Sequence, residues 1–211
     1  MGFYAKHIFP VLMDLVCSNR KLGEHRRELL QPIRGSILEI GFGTGINLEY
    51  YPDRVQAINV VEPNAGMERR AAKRLKASAI QVGFHLGGAE KLPFENQIFD
   101  SVVSTFTLCS IPDVELALWE IHRVLKPAGR FYFLEHGLSE EPAVAERQIK
   151  LTPWQQRFAD GCRLDRNMAK LVEGAGFRLL DLKKYYFRQS LKVFSYFYQG
   201  IAEKSGGTSH S

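Results

Sequence analysis

The sequence predicts an α/β fold in which seven strands form a mostly parallel sheet with one antiparallel strand and helices on both faces. Three observations predict it. Short apolar, β-branched runs alternate with segments of helical period from Ser36 to His136. Such alternation demands crossovers, and crossovers lay the strands parallel. A glycine-rich turn, Gly41-Phe42-Gly43-Thr44-Gly45, sits between the first strand and the next helical segment. The last two strand-like runs are close enough in the chain to pair as a hairpin, which reverses one of them against the rest.

The elements follow in order. Tyr4, Ile8, Val11, Leu12 and Leu15 recur at helical spacing, and a second helix is expected over 20–30, stopped by Pro32 and Gly35. Residues 1–34 are therefore expected to form a helical cap on a single domain over 35–204. The first strand is expected over 36–40, a short helix over 47–51, and the second strand over 56–61. A helix after Pro63 runs to residue 77, a strand occupies 81–86, and 100–106 reads as a buried strand. Asp113 can cap the next helix, which carries Leu116, Leu118, Trp119, Ile121, Val124 and Leu125 until Pro127 and Gly129 end it. The fifth strand is expected over 130–135. Beyond Gly137 the rhythm lengthens, with helices over 144–158 and 165–173 and strands over 178–186 and 193–202. The polar tail 205–211 is expected to be flexible.

Composition narrows the class. With 211 residues, 45% hydrophobic and 24% charged, the chain has the make-up of an ordinary globular protein and the length for one substantial core. The formal charge of +5 names no partner, and its densest stretch, Arg69, Arg70, Lys73, Arg74 and Lys76, falls on one helix as a solvated face. Cys17, Cys109 and Cys162 lie far apart, with no Cys-x-x-Cys pair and no zinc-finger spacing, so neither a metal site nor a disulfide framework is expected. The opening apolar stretch is interrupted by Lys6, His7, Pro10 and Asp14, short of a membrane span. No secretory signal is read there. A cytoplasmic protein is expected, with peripheral membrane contact left open.

The glycine turn carries the strongest chemical signal. Gly41, Gly43 and Gly45 let the main chain approach a ligand with no Cβ in the way. A dinucleotide fingerprint places its third glycine one position later, at Ile46, to seat a pyrophosphate. Alternate glycines suit a ligand without phosphates, such as the amino-acid half of S-adenosylmethionine. Glu62, at the end of the second strand, is a double acceptor able to take both hydroxyls of a ribose. In Gly87-Gly88-Ala89-Glu90-Lys91-Leu92-Pro93-Phe94, Gly88 and Ala89 allow a base to lie close, and Glu90 can accept from a ring amine.

In order and spacing, these features across 36–136 resemble the class I S-adenosylmethionine-dependent methyltransferases with a methyltransferase type 11 domain. The Lys126-Pro127-Ala128-Gly129 turn before the fifth strand belongs to the same pattern. The resemblance implies a Rossmann-like sheet of seven strands with S-adenosylmethionine across the carboxyl ends of the first ones. It also implies cofactor contacts at Glu39, Gly41, Gly43, Gly45, Glu62, Pro63, Asn64, Gly88, Ala89, Glu90, Thr105 and Leu108. Many members carry aspartate at the position of Gly88, so adenine recognition is expected to lean on backbone and on Glu90. Thr107-Leu108-Cys109-Ser110, Phe133-Leu134-Glu135-His136, Trp154-Gln155-Gln156 and Asp160-Gly161-Cys162 are similar to the methyltransferase-like alkyl thiol methyltransferases.

Methyl transfer is an in-line displacement that needs an aligned acceptor and excluded water. For a thiol or protonated amine a nearby base helps, and His136, at the end of the fifth strand, is the candidate catalytic residue, a structural histidine bonded to a neighbouring carbonyl being the other reading. Tyr4 and His7 can cover the cofactor's carboxylate, although core packing accounts for them as well. Cys109 and Cys162 read as small core residues, and His25, His85, His122 and His210 as surface or packing residues. Aromatic residues of the long insert, Trp154 and Phe158, are candidates to roof an apolar acceptor pocket. The expected partner is a small lipophilic acceptor such as a thiol, and no nucleic acid. A lipid-headgroup amine or quinone methyltransferase, a non-catalytic adenosylmethionine-binding subunit and a nicotinamide oxidoreductase are the other readings.

Overall fold

The structure, a computed structural model, describes residues 19–159, 161–188 and 190–205. Tyr4, His7 and the helix expected around them, Cys17, Asp160, and the tail from residue 206 with His210 lie outside the described residues.

Helix α1 (Arg20–Leu30) opens the described chain, capped by the Asn19 side chain, which accepts from the Lys21 N–H. Strand β1 (Ile37–Ile40) is buried at all four positions, as a central strand covered on both faces must be. The glycine turn leads into a 3-10 turn, Ile46–Glu49, and then into β2 (Ala57–Glu62). Helix α2 (Ala65–Ala77) and β3 (Gln81–Leu86) follow, and then the almost wholly buried β4 (Phe99–Thr105). Helix α3 (Val114–Val124) starts where the Asp113 side chain accepts from the Leu116 N–H. Strand β5 (Leu125–His136), α4 (Pro142–Phe158), α5 (Met168–Gly174), β6 (Phe177–Tyr186) and β7 (Tyr196–Lys204) complete the chain.

The seven strands form one sheet in the order β3-β2-β1-β4-β5-β7-β6. Strand β7 inserts between β5 and β6 and runs antiparallel to both, and the other pairs are parallel. Alternation along the strands splits the core in two. Leu38, Val102, Phe131 and Phe133 pack with Leu118, Ile121 and Val124 of α3 and Met168 and Val172 of α5 on one face. Ile37, Val60, Val103, Tyr132 and Leu134 pack with Leu22, Leu29 and Leu30 of α1 and Ala71 of α2 on the other. The chain leaves β1 toward β2 on one side and returns as β4 on the other, which opens a crevice at the carboxyl ends of these strands.

Several boundaries differ from expectation. Strand β5 starts at Leu125, before Pro127 and Gly129, because its pairing jumps from Phe99–Leu125 to Ser101–Arg130 and leaves the Pro-Ala-Gly stretch as an irregularity inside the strand. Helix α5 begins at Met168, three residues late, where Asn167 supplies the cap by accepting from the Lys170 N–H. Residues Lys192–Phe194 form a 3-10 turn, so the last strand begins at Tyr196. On α3 the buried face is Val114, Ala117, Leu118, Ile121 and Val124, while Leu116 and Trp119 face outward. No helix among the described residues is long and apolar enough to cross a membrane.

Candidate active site

The glycine turn stands at the mouth of the crevice. Gly41, Gly43 and Gly45 all take left-handed φ angles, of 73°, 55° and 75°. At Gly41 a Cβ would lie 2.1 Å from the Thr107 hydroxyl oxygen, so the turn is pressed against the exit of β4. Gly43 is the opposite case, because a Cβ there would meet no heavy atom within 4 Å. The expected short helix after the turn is the 3-10 turn Ile46–Glu49, with Gly45 at its amino end. Four residues carry no extended stack of free helix N–H groups, so the turn lacks the device that neutralises a pyrophosphate.

Glu62 faces the turn from the end of β2. One of its oxygens accepts from the Gly43 N–H and the other from the Asn64 N–H, each at 2.9 Å. An ionised carboxylate has about four acceptor sites, the chemistry that a vicinal diol requires. Pro63 is exposed beside it. Asn64 caps α2 by accepting from the Gly66 N–H at 3.0 Å, and its buried Nδ2 donor has no partner in the protein. A buried donor without a partner is costly, which makes it a position for a ligand to complete.

Beneath the turn lies a buried polar network. Arg26, from α1, donates to Asn47 Oδ1 and Thr105 Oγ1 at 2.5 and 2.8 Å. Asn47 Nδ2 and the Tyr51 hydroxyl then donate to the two oxygens of Glu39, at 2.8 and 2.7 Å. Burial pushes the Glu39 carboxyl up to about 7, against the pull of the bonds from Tyr51 and Asn47. The side chains of Glu39 and Thr105 are thus joined in the floor of the site. On the far side, Ala89 is buried, and Glu90 Oε2 lies 2.6 Å from where a Cβ of residue 88 would stand. The carboxylate of Glu90 fills the space that a side chain at Gly88 would take.

The acceptor side is built by the exit of β4. Phe106 holds a left-handed φ of 53°, a strained setting for a bulky residue, and its N–H is anchored to the Leu134 carbonyl at 2.8 Å. The next residues are gripped from both directions. Buried Glu135 accepts from the Ser104 hydroxyl and from the N–H groups of Thr107, Leu108 and Cys109, at 2.7, 3.0, 3.1 and 3.4 Å. Burial raises its carboxyl above the usual range, and these bonds oppose the rise. Arg166 donates to the carbonyls of Leu108, Ile111 and Pro112. Leu108 itself is wholly buried.

His136, the last residue of β5, is half-buried against two aromatic rings, with ring centres 5.3 Å from Phe106 and 4.9 Å from Phe197. Its Nδ1 lies 3.8 Å from Cys162 Sγ, and Cys162 Sγ lies 3.6 Å from Cys109 Sγ. The bond between the sulfurs lowers the pKa of the Cys162 thiol and, together with burial, raises that of Cys109. A cavity lined by Ile33, Ser36, Ile37, Val55 and Asn59 sits at the opposite, amino-terminal ends of β1 and β2 and holds none of these groups.

Residues 38–133 match the family model described as "Methyltransferase domain". The chain is 33% identical to thiol S-methyltransferase TMT1A of Homo sapiens, over 86% of this chain and 80% of that protein. It is 30% identical to thiol S-methyltransferase TMT1B of Homo sapiens, over 85% and 79% of the two chains. The chain belongs to the S-adenosylmethionine-dependent methyltransferases. Its fold agrees with this. The solved structure of YcgJ from Bacillus subtilis superposes with a TM-score of 0.69 at 19% identity, covering 89% of this methyltransferase and 99% of YcgJ.

S-adenosylmethionine is the cofactor of this methyltransferase, and the residues fit it. The open space at Gly43, the carboxylate of Glu62 and the unpartnered donor of Asn64 stand together at the mouth of the crevice, a set of groups whose chemistry suits a nucleoside. The structure brings Gly41, Gly43, Gly45, Glu62 and Asn64 together there, and sets Gly88, Ala89 and Glu90 in the turn after β3. Sequence reasoning missed several organising groups. Arg26 carried no signal, because an arginine on an amphipathic helix reads as a surface residue. Arg166 fell inside a segment read as helix. Glu135 was visible only as part of the Phe133-Leu134-Glu135-His136 string. Trp154 and Phe158, the expected roof of the methyltransferase's acceptor pocket, stack on each other and are 66% and 57% exposed. The rings beside His136 are Phe106 and Phe197.

Proposed function

We propose that this methyltransferase methylates the sulfur of a small lipophilic thiol, with His136 removing the thiol proton. Bound S-adenosylmethionine supplies an electrophilic methyl group on a sulfonium. Gly41, Gly43 and Gly45 give it room, and Glu62 accepts from the ribose hydroxyls while Asn64 offers its buried Nδ2 donor. Glu90, held over Gly88, accepts from the adenine amine. Glu39 and Thr105 act through the network that keeps the glycine turn in place. The observation that carries the acceptor reading is the setting of His136 at the carboxyl end of β5, its ring enclosed by Phe106 and Phe197. Apolar walls exclude water and favour a lipophilic acceptor, and an imidazole among them can take a proton from sulfur. The names of the two human relatives, both thiol S-methyltransferases, support the same acceptor.

The test is a screen of thiols, amines and phenols with isotopically labelled cofactor, run on the wild-type protein and His136→Gln. Alkyl thiols are expected to be the labelled class. Loss of the base should lower kcat on them by about 100-fold or more, while cofactor affinity measured by calorimetry stays unchanged. Labelling of amines or phenols with thiols silent would overturn the acceptor assignment. An undiminished kcat in the variant would remove His136 from the chemistry.

A further inference from the structure

The cysteine positions, 53 residues apart in the chain, carry no metal motif, yet the fold brings them to one histidine. The geometry points to a metal site made by Cys109, His136 and Cys162, suited to a zinc-like divalent ion and leaving one coordination position open. Within the described residues this is a compact group, its three ligand atoms lying within 4.8 Å of one another. Zinc binds thiolate sulfur at about 2.3 Å and imidazole nitrogen at about 2.0–2.1 Å in a tetrahedron, so ligand atoms around it stand about 3.8 Å apart for two sulfurs and about 3.6 Å for sulfur and nitrogen. The observed edges are 3.6 Å between the sulfurs and 3.8 Å between Cys162 Sγ and His136 Nδ1. The third pair, Cys109 Sγ and the His136 nitrogen, lies within 4.8 Å.

The backbone beneath the ligands is pinned as such a site requires. The Arg163 N–H donates to the Cys109 carbonyl at 2.9 Å, which ties the Cys162 loop to the Cys109 loop. Gly161, at a φ of 85°, lets the Ser110 carbonyl approach to 3.0 Å of its Cβ direction. Glu135 holds the Cys109 N–H, and Arg166 holds the carbonyls on the other side. Charge favours occupancy too. Two thiolates and a neutral imidazole around a divalent cation sum to zero, the arrangement a buried site tolerates best.

Three protein ligands with one open position are the mark of a site whose ion takes part in chemistry rather than only in folding. The remaining step rests on the thiol reading. An acceptor thiol is a ligand of the same class as Cys109 and Cys162. On taking the fourth position it would release its proton to solvent; its sulfur would form a bond to the methyl carbon as the carbon–sulfur bond of the sulfonium breaks, S-adenosylhomocysteine would leave, and the thioether, a weaker ligand, would depart. The thiol acceptor of the proposed function is kept and its base is replaced: with the ion bound, His136 would be a ligand through Nδ1 and the ion would acidify the thiol in its place.

The experiment titrates the whole purified protein, kept reduced and without air, with zinc and then with cobalt. One ion per chain is expected, with a sulfur-to-cobalt charge-transfer band. Cys109→Ser and Cys162→Ser should each weaken zinc binding by on the order of 100-fold or more and diminish that band, with the circular dichroism spectrum and cofactor binding retained. Absence of stoichiometric binding overturns the site. So does binding that ignores both substitutions, or a cysteine pair found only as a reducible disulfide. Wild-type protein stripped of metal that still methylates thiols at full rate overturns the catalytic role of the ion and leaves the thiol reading intact. A loaded protein that ignores thiols sinks that reading and leaves the metal site.

Discussion

Glu39 shows how a single buried carboxyl sets a property that can be measured. Its two oxygens take hydrogen bonds from Asn47 and Tyr51, but burial still pushes its carboxyl from the ordinary 4.5 up to about 7. The folded protein therefore keeps a proton that the unfolded chain releases above pH 4.5. Stability contributed by that proton is complete below the unfolded value, falls as pH rises, and is lost above the folded value. The total is about 3 kcal/mol, taking 1.36 kcal/mol for each pH unit of the window. Urea unfolding of wild type and Glu39→Gln at steps from pH 5 to pH 8 reads this directly. The variant should gain on the wild type as pH increases and then hold a constant difference. A difference that is flat across the window would show that the carboxyl ionises normally.

At the level of elements, the loop between β4 and α3 carries the acceptor side, and it is held by two charges of opposite sign. Glu135 of β5 gathers its N–H groups, and Arg166, just before α5, gathers its carbonyls. Arg166→Met removes the second grip and leaves buried carbonyls unpaired, at a cost of about 2–3 kcal/mol. The glycine turn meets this loop at Thr107, so cofactor affinity should weaken modestly while kcat drops much further. Chemical denaturation, calorimetry and turnover measured on the same preparation check this. A weakened cofactor affinity with normal kcat would show that the loop serves the cofactor side instead.

For the molecule as a whole, the cofactor cradle links ligand binding to the stability of the sheet. A ligand that binds only the folded state at about 100 times its Kd adds about 2.7 kcal/mol to unfolding. S-adenosylmethionine should accordingly raise the Tm of the wild-type protein by several degrees. Gly43→Arg should abolish the rise, since its side chain would occupy the space where no protein atom lies within 4 Å of a Cβ. The left-handed φ of 55° adds strain to that variant, so its own Tm without cofactor should be lower. An undiminished cofactor-induced rise in Gly43→Arg would place the cofactor elsewhere.

Much of this architecture was legible in the chain, because its signals are local. The alternation of apolar runs and helical periods shows the α/β sheet, the glycines at 41, 43 and 45 mark the turn, and Glu62 follows at the next strand end. Each depends on backbone sterics or on a period that only one element can satisfy. The 3-10 turn after Gly45, the start of β5 ahead of Pro127 and the outward faces of Trp119, Trp154 and Phe158 were settled by packing. The sequence by itself determined the fold class and marked the glycine turn and Glu62 as the candidate cofactor site. Only the tertiary structure decided the floor built by Arg26, Asn47 and Glu39, the clamp of Glu135 and Arg166, and the meeting of Cys109, His136 and Cys162. Those groupings depend on distances between residues remote in the chain, which no periodicity records and which exist only once the sheet has closed around them.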